Sequence, residues 1–302
     1  MEGDISLPNQ HHAAFRLPGK NKPDGGQDFF SIESLPFALI AAVADGVSSE
    51  IHSAFGAKTA SEEAVRFCKE HLKSEMSDTE ILQTIYLSFE AALEAIIKGA
   101  QQEDFDVRLC STTLSLVVYK DAHVYFGHVG DSGIFAFFTD GTIDSLTLPQ
   151  NDKEDDDAVY TLANKRMWTF EKSKQAATSV LLCTDGVWSM FTPKHYKAIE
   201  RKHNIHRISW YIHPEAILAH NNKRGLQAWL EDKMIEIINN YPELVRDDDT
   251  AIVILHDNAV SYTAQAEEYY APLTQEQEKL AEFKHLYPHL EYSEQKNGAD
   301  KS

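Results

Sequence analysis

Cysteine is scarce: Cys68, Cys110 and Cys183 are the only three in 302 residues, and no two form a Cys-x-x-Cys pair. That excludes a disulfide framework and a thiolate zinc site, and it predicts a reducing compartment. Positive charge is short as well. Lys and Arg total 28 against 47 Asp and Glu, a formal net charge of -19, which would repel a nucleic-acid backbone or an anionic membrane surface. Long apolar runs are missing, since the longest, Phe37 to Ala44, is far too short to span a bilayer. The opening "MEGDISLPNQHH" has neither a basic start nor an apolar stretch, which argues against a secretory signal. No internal repeat is present. These absences predict a cytoplasmic protein with no nucleic-acid and no membrane partner.

What is present describes a globular chain: 43% hydrophobic and 25% charged residues over a length that suits one large domain or two small ones. Residues 1 to 26 are polar and rich in turn formers, an irregular entry with room for one short strand. Two apolar stretches follow, "DFFSI" and "FALIAAVADG", separated at "ESLP". "GAKTASEEAVRFCKEHL" (56 to 72) has helical spacing. "DTEILQTIYLSFEAALEAIIKG" (78 to 99) is a stronger helix, capped by Ser77 or Asp78 and ended by Gly99.

The period then changes from helical to alternating. Four short runs between 112 and 148, broken at Lys120-Asp121, Gly130-Asp131-Ser132 and Asp140-Gly141, read as an antiparallel meander. An acidic loop (151 to 158) leads to a weak strand near "YTLANKRMWTF" and a firm one at "TSVLLCTDG". Residues 193 to 246 read as helical, with Leu226, Leu230, Met234 and Ile237 or Ile238 on one face, and "TAIVILH" supplies the last strand. In the polar tail from 261 to 302, Thr274 and Gln277 make a capping box for one helix. Runs apolar on both sides of the alternation need cover on both faces. The expected fold is therefore α+β, two stacked antiparallel sheets with helices outside.

Acids recur where apolar strands begin or end. Asp28 starts one, Asp45 and Asp185 end two, Asp131 sits in a break, and Asp247, Asp248 and Asp249 precede the last. Carboxylates gathered at one sheet edge repel unless a cation sits among them, and hard cations such as magnesium or manganese take oxygen ligands. A dinuclear site of that kind makes a nucleophilic water near neutral pH. Each Asp-Gly pair is also an ordinary turn dipeptide. Asp140-Gly141 is read as only that, the 152 to 157 acids as a solvated loop, the scattered histidines (His11, His12, His203, His206) as surface groups, and Cys183 as core.

The wording and order of five segments resembles the metal-dependent (type 2C) protein serine/threonine phosphatases, in particular compact bacterial members. They are "GGQDFF", "AAVADGVSS" with "SAFGAKTASEEAV", "CSTTLSLVVYKDAHVYFGHVGDSGIFAFFTDG", "LLCTDGVWSMFT" and "RDDDTAIVIL". The resemblance spans about residues 26 to 256. It implies a four-layer α-β-β-α sandwich, a catalytic unit over 1 to 260 followed by the 261 to 302 tail, and a water activated between two magnesium or manganese ions. It implies that Asp45 bridges the ions, that the Gly46 carbonyl binds the second, and that Asp185 and Asp247 complete the first. Asp248 is the alternative to Asp247. Asp28 would hold a metal water, and Asp131 a weaker third ion.

Departures from the family pattern bear on the substrate and the third ion. Val47 stands where many relatives have a proposed general-acid histidine. No arginine stands shortly before Gln27-Asp28, and Lys22 is the nearest substitute. Ser189 replaces a second Asp, and Gly133 replaces an arginine. A third ion is therefore expected to be weak or absent. The resulting expectation is a monomeric phosphoprotein phosphatase, acting on a phosphorylated protein and opposing a cognate serine/threonine kinase. The alternatives are a phosphatase-like module of little activity that binds a phosphorylated partner, and a hydrolase of small phosphomonoesters.

Overall fold

The computed structural model describes residues 9–19, 25–151, 159–187, 200–240, 248–272, 274, 277 and 280; for 200–204, 222–224, 237, 238 and 240 it describes the backbone alone. Strands β1 (Gln10–Leu17), β2 (Phe29–Leu35) and β3 (Ala38–Ala44) come first, then helices α1 (Ser53–His71) and α2 (Asp78–Gln102). Strands β4 (Leu114–Lys120), β5 (His123–Val129), β6 (Gly133–Phe138), β7 (Ile143–Ser145), β8 (Thr169–Lys172) and β9 (Ala177–Cys183) follow. Helices α3 (Glu200–Ile212), α4 (Pro214–Arg224) and α5 (Leu226–Asn240) precede β10 (Thr250–Asp257) and a short helical turn at Glu267–Tyr270.

The strands form two five-stranded antiparallel sheets, ordered β1-β10-β9-β6-β7 and β2-β3-β4-β5-β8. Alternation along β3 shows why both faces are covered. Ile40, Ala42 and Ala44 pack with α1 and α2, whereas Leu39, Ala41 and Val43 meet Val180, Leu182 and Val253 of the other sheet. That other sheet buries Leu181, Ile252 and Ile254 against Tyr211, Leu230 and Met234 of the second helical layer. The outcome is an α+β, α-β-β-α sandwich. Across the middle, the buried Tyr119 hydroxyl donates to the Ala177 carbonyl at 2.7 Å, so a polar group between the sheets keeps a partner.

Three expectations need correcting. Residues 112 to 148 are not one meander: β4 pairs with β5 and β6 with β7, but β5 and β6 lie in different sheets. The Gly130-Asp131-Ser132 break carries the chain from one sheet to the other, and alternation alone says nothing of which sheet a strand joins. Helix α2 does not stop at Gly99 but runs to Gln102. Gly99 is needed for packing, because a Cβ there would stand 2.6 Å from the Phe55 ring of α1. The polar entry holds a full strand, β1, paired with β10 from Gln10 to Leu17.

Other expectations hold. The N-cap of α2 is Ser77, in a capping box with Glu80. Thr274 and Gln277 exchange the bonds of a second capping box, at 2.9 and 3.3 Å. Asp140 is a turn residue whose carboxylate accepts from Thr142. The loop at 152 to 157, Ser189, Lys22, His203 and the side chains of Ile237 and Ile238 lie outside the described residues. Among the described residues no helix is long and apolar enough to cross a membrane.

Each sheet also buries one histidine. Ser115 is 2.8 Å from Nδ1 of His128, whose Nε2 is 3.3 Å from the Leu148 carbonyl; Ser179 is 2.8 Å from Nδ1 of His256. Burial pushes both imidazoles down to about 4, so both are neutral near pH 7. The unfolded chain binds more protons between pH 4 and 6.5, so their stabilisation is complete above 6.5 and is lost as pH falls to about 4. For His128 the loss is on the order of 2–3 kcal/mol. The stability advantage of the native chain over His128→Gln should shrink by about that amount between pH 7 and 4.5. Urea midpoints at the two pH values measure it; an advantage independent of pH would refute the assignment.

Candidate metal centre at one sheet edge

Strand register carries the acids together. Phe29 pairs with Ala44, so Asp28 and Asp45 are the next opposed positions beyond the β2–β3 ladder. Gly133 pairs with Cys183, so continuing the β6–β9 register opposes Asp131 and Asp185. Ile252 pairs with Cys183, which places the start of β10, and Asp248 and Asp249 before it, beside Asp185. Both sheets thus deliver carboxylates to one edge of the sandwich.

Backbone bonds hold Asp45 in place. Its N–H donates to the Thr113 hydroxyl at 3.0 Å, and its carbonyl accepts from the Thr113 N–H and the Thr112 hydroxyl, both at 2.8 Å. The bridge between Gly46 and Thr112 runs through the Asp45 carbonyl and the Val47 N–H, so the Gly46 carbonyl takes no part in it. A Cβ at Gly46 would lie 2.9 Å from the Gln27 carbonyl and from Ser53. At the second pair, a Cβ on Gly186 would lie 1.9 Å from the Asp249 carbonyl. Both glycines let another backbone come close without a left-handed φ, whereas Gly141 combines such an approach, from the Thr263 carbonyl, with a φ of +81° that marks a turn. Beside Gly186, Thr184 ties β9 to β10 by accepting the Ala251 N–H at 2.9 Å.

The electrostatics are those of crowded anions. Burial first, then Asp185 and Asp249, push Asp28 well above the usual carboxylate range, against hydrogen bonding from Thr184 and Asp45. Asp45 is raised well above it by burial, then by Asp28, Asp185 and Asp131. Asp131 is pushed up to about 7 by burial and then by Asp185, with Asp248 adding to the repulsion. Asp28 Oδ2 and Asp131 Oδ1 are buried and have no hydrogen-bond partner. Orphaned, mutually repelling carboxylate oxygens are a donor set that suits a hard cation. Among the described residues no three Asp, Glu, His or Cys side chains stand ready to hold an ion. Asp247 lies outside those residues.

Thus Asp28, Asp45, Asp131, Asp185 and Asp248 are brought into one electrostatic group, with Gly46 beside them. Sequence reasoning missed the distinct place of Asp249. It is buried, and its carboxylate accepts from the Gly19 N–H at 2.6 Å and the Gln27 N–H at 2.5 Å, clamping the chain on either side of residues 20–24. Its position directly before a fully buried strand was the available signal. Arg16 was missed too. Its guanidinium stacks 3.6 Å over the Phe29 ring, donates to the Gly25 and Gly26 carbonyls at 2.5 and 3.0 Å, and faces Asp28 and Asp249.

Two charge-assisted bonds at about 1.5–3 kcal/mol each outweigh the relief of repulsion with Asp28, which Arg16 already offsets. Asp249→Ala should therefore destabilise the metal-free chain by about 2–4 kcal/mol in urea unfolding. A loss below about 0.5 kcal/mol would show that the clamp is dispensable.

Sequence comparison with curated proteins gives no significant match. In structure, the chain is similar to the S. agalactiae serine/threonine phosphatase at a TM-score of 0.56 and 16% identity, covering 82% of this chain and 99% of that one. It is similar to a bacterial serine phosphatase at 0.54 and 12%, covering 84% and 99%. The catalytic domain of the serine/threonine protein phosphatase PstP, solved with two manganese ions, matches at 0.50 and 16%, covering 82% and 98%. At these identities the likeness is one of fold. The family profile described as Protein phosphatase 2C matches residues 23–233, most of the chain. On that match, and with this fold, the chain belongs to the protein phosphatase 2C family.

Proposed function

We propose that this chain is a metal-dependent phosphatase that removes phosphate from serine and threonine side chains of proteins. The observation that carries the reading is the convergence of Asp28, Asp45, Asp131 and Asp185 at one sheet edge, with buried oxygens of Asp28 and Asp131 left unpartnered. Asp45, the Gly46 carbonyl, Asp185 and Asp247 or Asp248 would hold two magnesium or manganese ions, with Asp28 alongside. When bound, such ions supply positive charge against a phosphate and acidify a water. Manganese in the PstP structure supports that choice of metal. Asp131 would bind a third ion only weakly, since Ser189 stands where the family pattern has a second carboxylate.

The chain's own residues do the positioning. Thr112 and Thr113 fix the Asp45 backbone, Thr184 ties the end of β9 to β10 beside Asp185, and Asp249 with Arg16 holds the segment from Gly25 to Gln27. We assign catalysis to residues 1 to 260 with 261 to 302 as a tail, and read the protein as a cytoplasmic monomer acting on phosphoproteins opposite a serine/threonine kinase. One observation favours the second reading, a weakly active module that binds a phosphorylated partner. Arg16, the cation facing Asp28 and Asp249, spends donors on loop carbonyls instead of pointing them at a substrate.

With manganese, the purified protein should hydrolyse p-nitrophenyl phosphate, and Asp45→Asn and Asp185→Asn should each lower kcat at least about 100-fold. Absence of turnover in the native protein would hand the case to the binding module. Higher kcat/KM on small phosphate esters than on phosphopeptides would favour the small-molecule hydrolase.

A further inference from the structure

β1 and β2 are the edge strands of the two sheets, and both end beside the acids: Leu17 pairs with Thr250, and Phe29 follows Asp28. Between these strands and α5 runs a surface groove of about 550 Å³. Its walls are Phe15, Phe29, Phe30 and Ile235, with Arg16 and Glu231 as its charged groups. The backbone edge of β1 is already capped where α5 crosses it, because Gln227 accepts the Ala14 N–H at 3.0 Å and donates to the Ala14 carbonyl at 2.8 Å. A visiting chain therefore cannot pair with β1 at Ala14 and must be recognised there through its side chains.

Resting on the phosphatase reading above, we propose that this groove seats the stretch of substrate polypeptide next to the phosphorylated serine or threonine, taking an aliphatic side chain and a basic one. Three observations argue for that occupant. Arg16 belongs to the groove and also braces Gly25 and Gly26, and Phe29 of the groove wall directly follows Asp28, so the groove abuts the segment that carries one of the acids. The aromatic walls with Ile235, a large aliphatic side chain left 50% exposed, give an aliphatic group somewhere to bury. Glu231, on a chain with a net charge of -19, complements a lysine or arginine of the substrate.

The test compares p-nitrophenyl phosphate with a phosphothreonine peptide flanked by leucines and one arginine, in the manganese-loaded native protein, Ile235→Glu and Glu231→Lys. Both substitutions sit on the exposed face of α5. The expected result is a rise of about tenfold in KM for the peptide with kcat held, and no change for the aryl ester. Replacing the peptide leucines by aspartates should erase the difference for Ile235→Glu. An unchanged peptide KM in both variants overturns the proposal, and so does a parallel loss of both activities. If the native protein turns over neither substrate, the phosphatase reading fails on its own. Fluorescence anisotropy of the labelled phosphopeptide then decides the groove: weaker binding to Ile235→Glu supports it, and equal binding overturns it.

Discussion

Repulsion among buried carboxylates is the constraint around which this molecule is arranged. Two unit charges about 4 Å apart interact by about 4 kcal/mol at the effective dielectric of a protein surface, and burial adds its own penalty for ionisation. Asp28, Asp45 and Asp131 all carry both burdens, and all are raised above the usual range. Side chains on flexible loops would move apart. Here they cannot, because the register of two sheets fixes the backbone on which each stands, and the hydrogen bonds of Thr112, Thr113 and Thr184 fix the ends. The sandwich holds in place a set of carboxylates whose repulsion is relieved by taking up protons or by a cation.

The same constraint explains why identical dipeptides have different fates. Asp45-Gly46, Asp185-Gly186 and Asp140-Gly141 look alike in sequence. At Gly141 the left-handed φ makes the turn, and Asp140 bonds back to Thr142. At Gly46 and Gly186 the neighbouring backbones of Gln27, Ser53 and Asp249 occupy the space a side chain would need. Those approaches bring the entry to β2 and the entry to β10 against the two aspartates. Glycine there serves convergence and not turning, whereas Gly141 does both, with the Thr263 and Gln265 backbone against it, so the left-handed φ is what sets it apart.

Local signals in the sequence were enough for the layer order, because alternation that is apolar on both sides demands cover on both faces, as Leu39 and Ile40 illustrate. They were enough to narrow the α2 cap to Ser77 or Asp78, of which the structure uses Ser77, and to pick out the acids at strand ends. They were not enough to divide the strands between sheets, since Val129 and Gly133 are separated by a short break whether the chain continues a meander or crosses over. Gly99 misled because a helix stop and a close helix packing both select glycine. Asp249 was obscured by its neighbours in an acidic run, where burial of one member is decided by partners at Gly19 and Gln27, more than two hundred residues away.

Arg16 shows how the departures from the family pattern are absorbed. The sequence has no arginine just ahead of Gln27-Asp28, and the cation that the structure puts there comes from the adjacent edge strand of the other sheet. Its guanidinium is half enclosed, stacked on Phe29 and bonded to two carbonyls, which lowers its freedom to grip a ligand but places a fixed positive charge against Asp28 and Asp249. A fixed cation at that place softens repulsion on the side of the cluster away from Asp131. The side that Arg16 does not face is the one where Asp45, Asp131 and Asp185 repel one another, so the repulsion it leaves unsoftened lies where the two sheets meet.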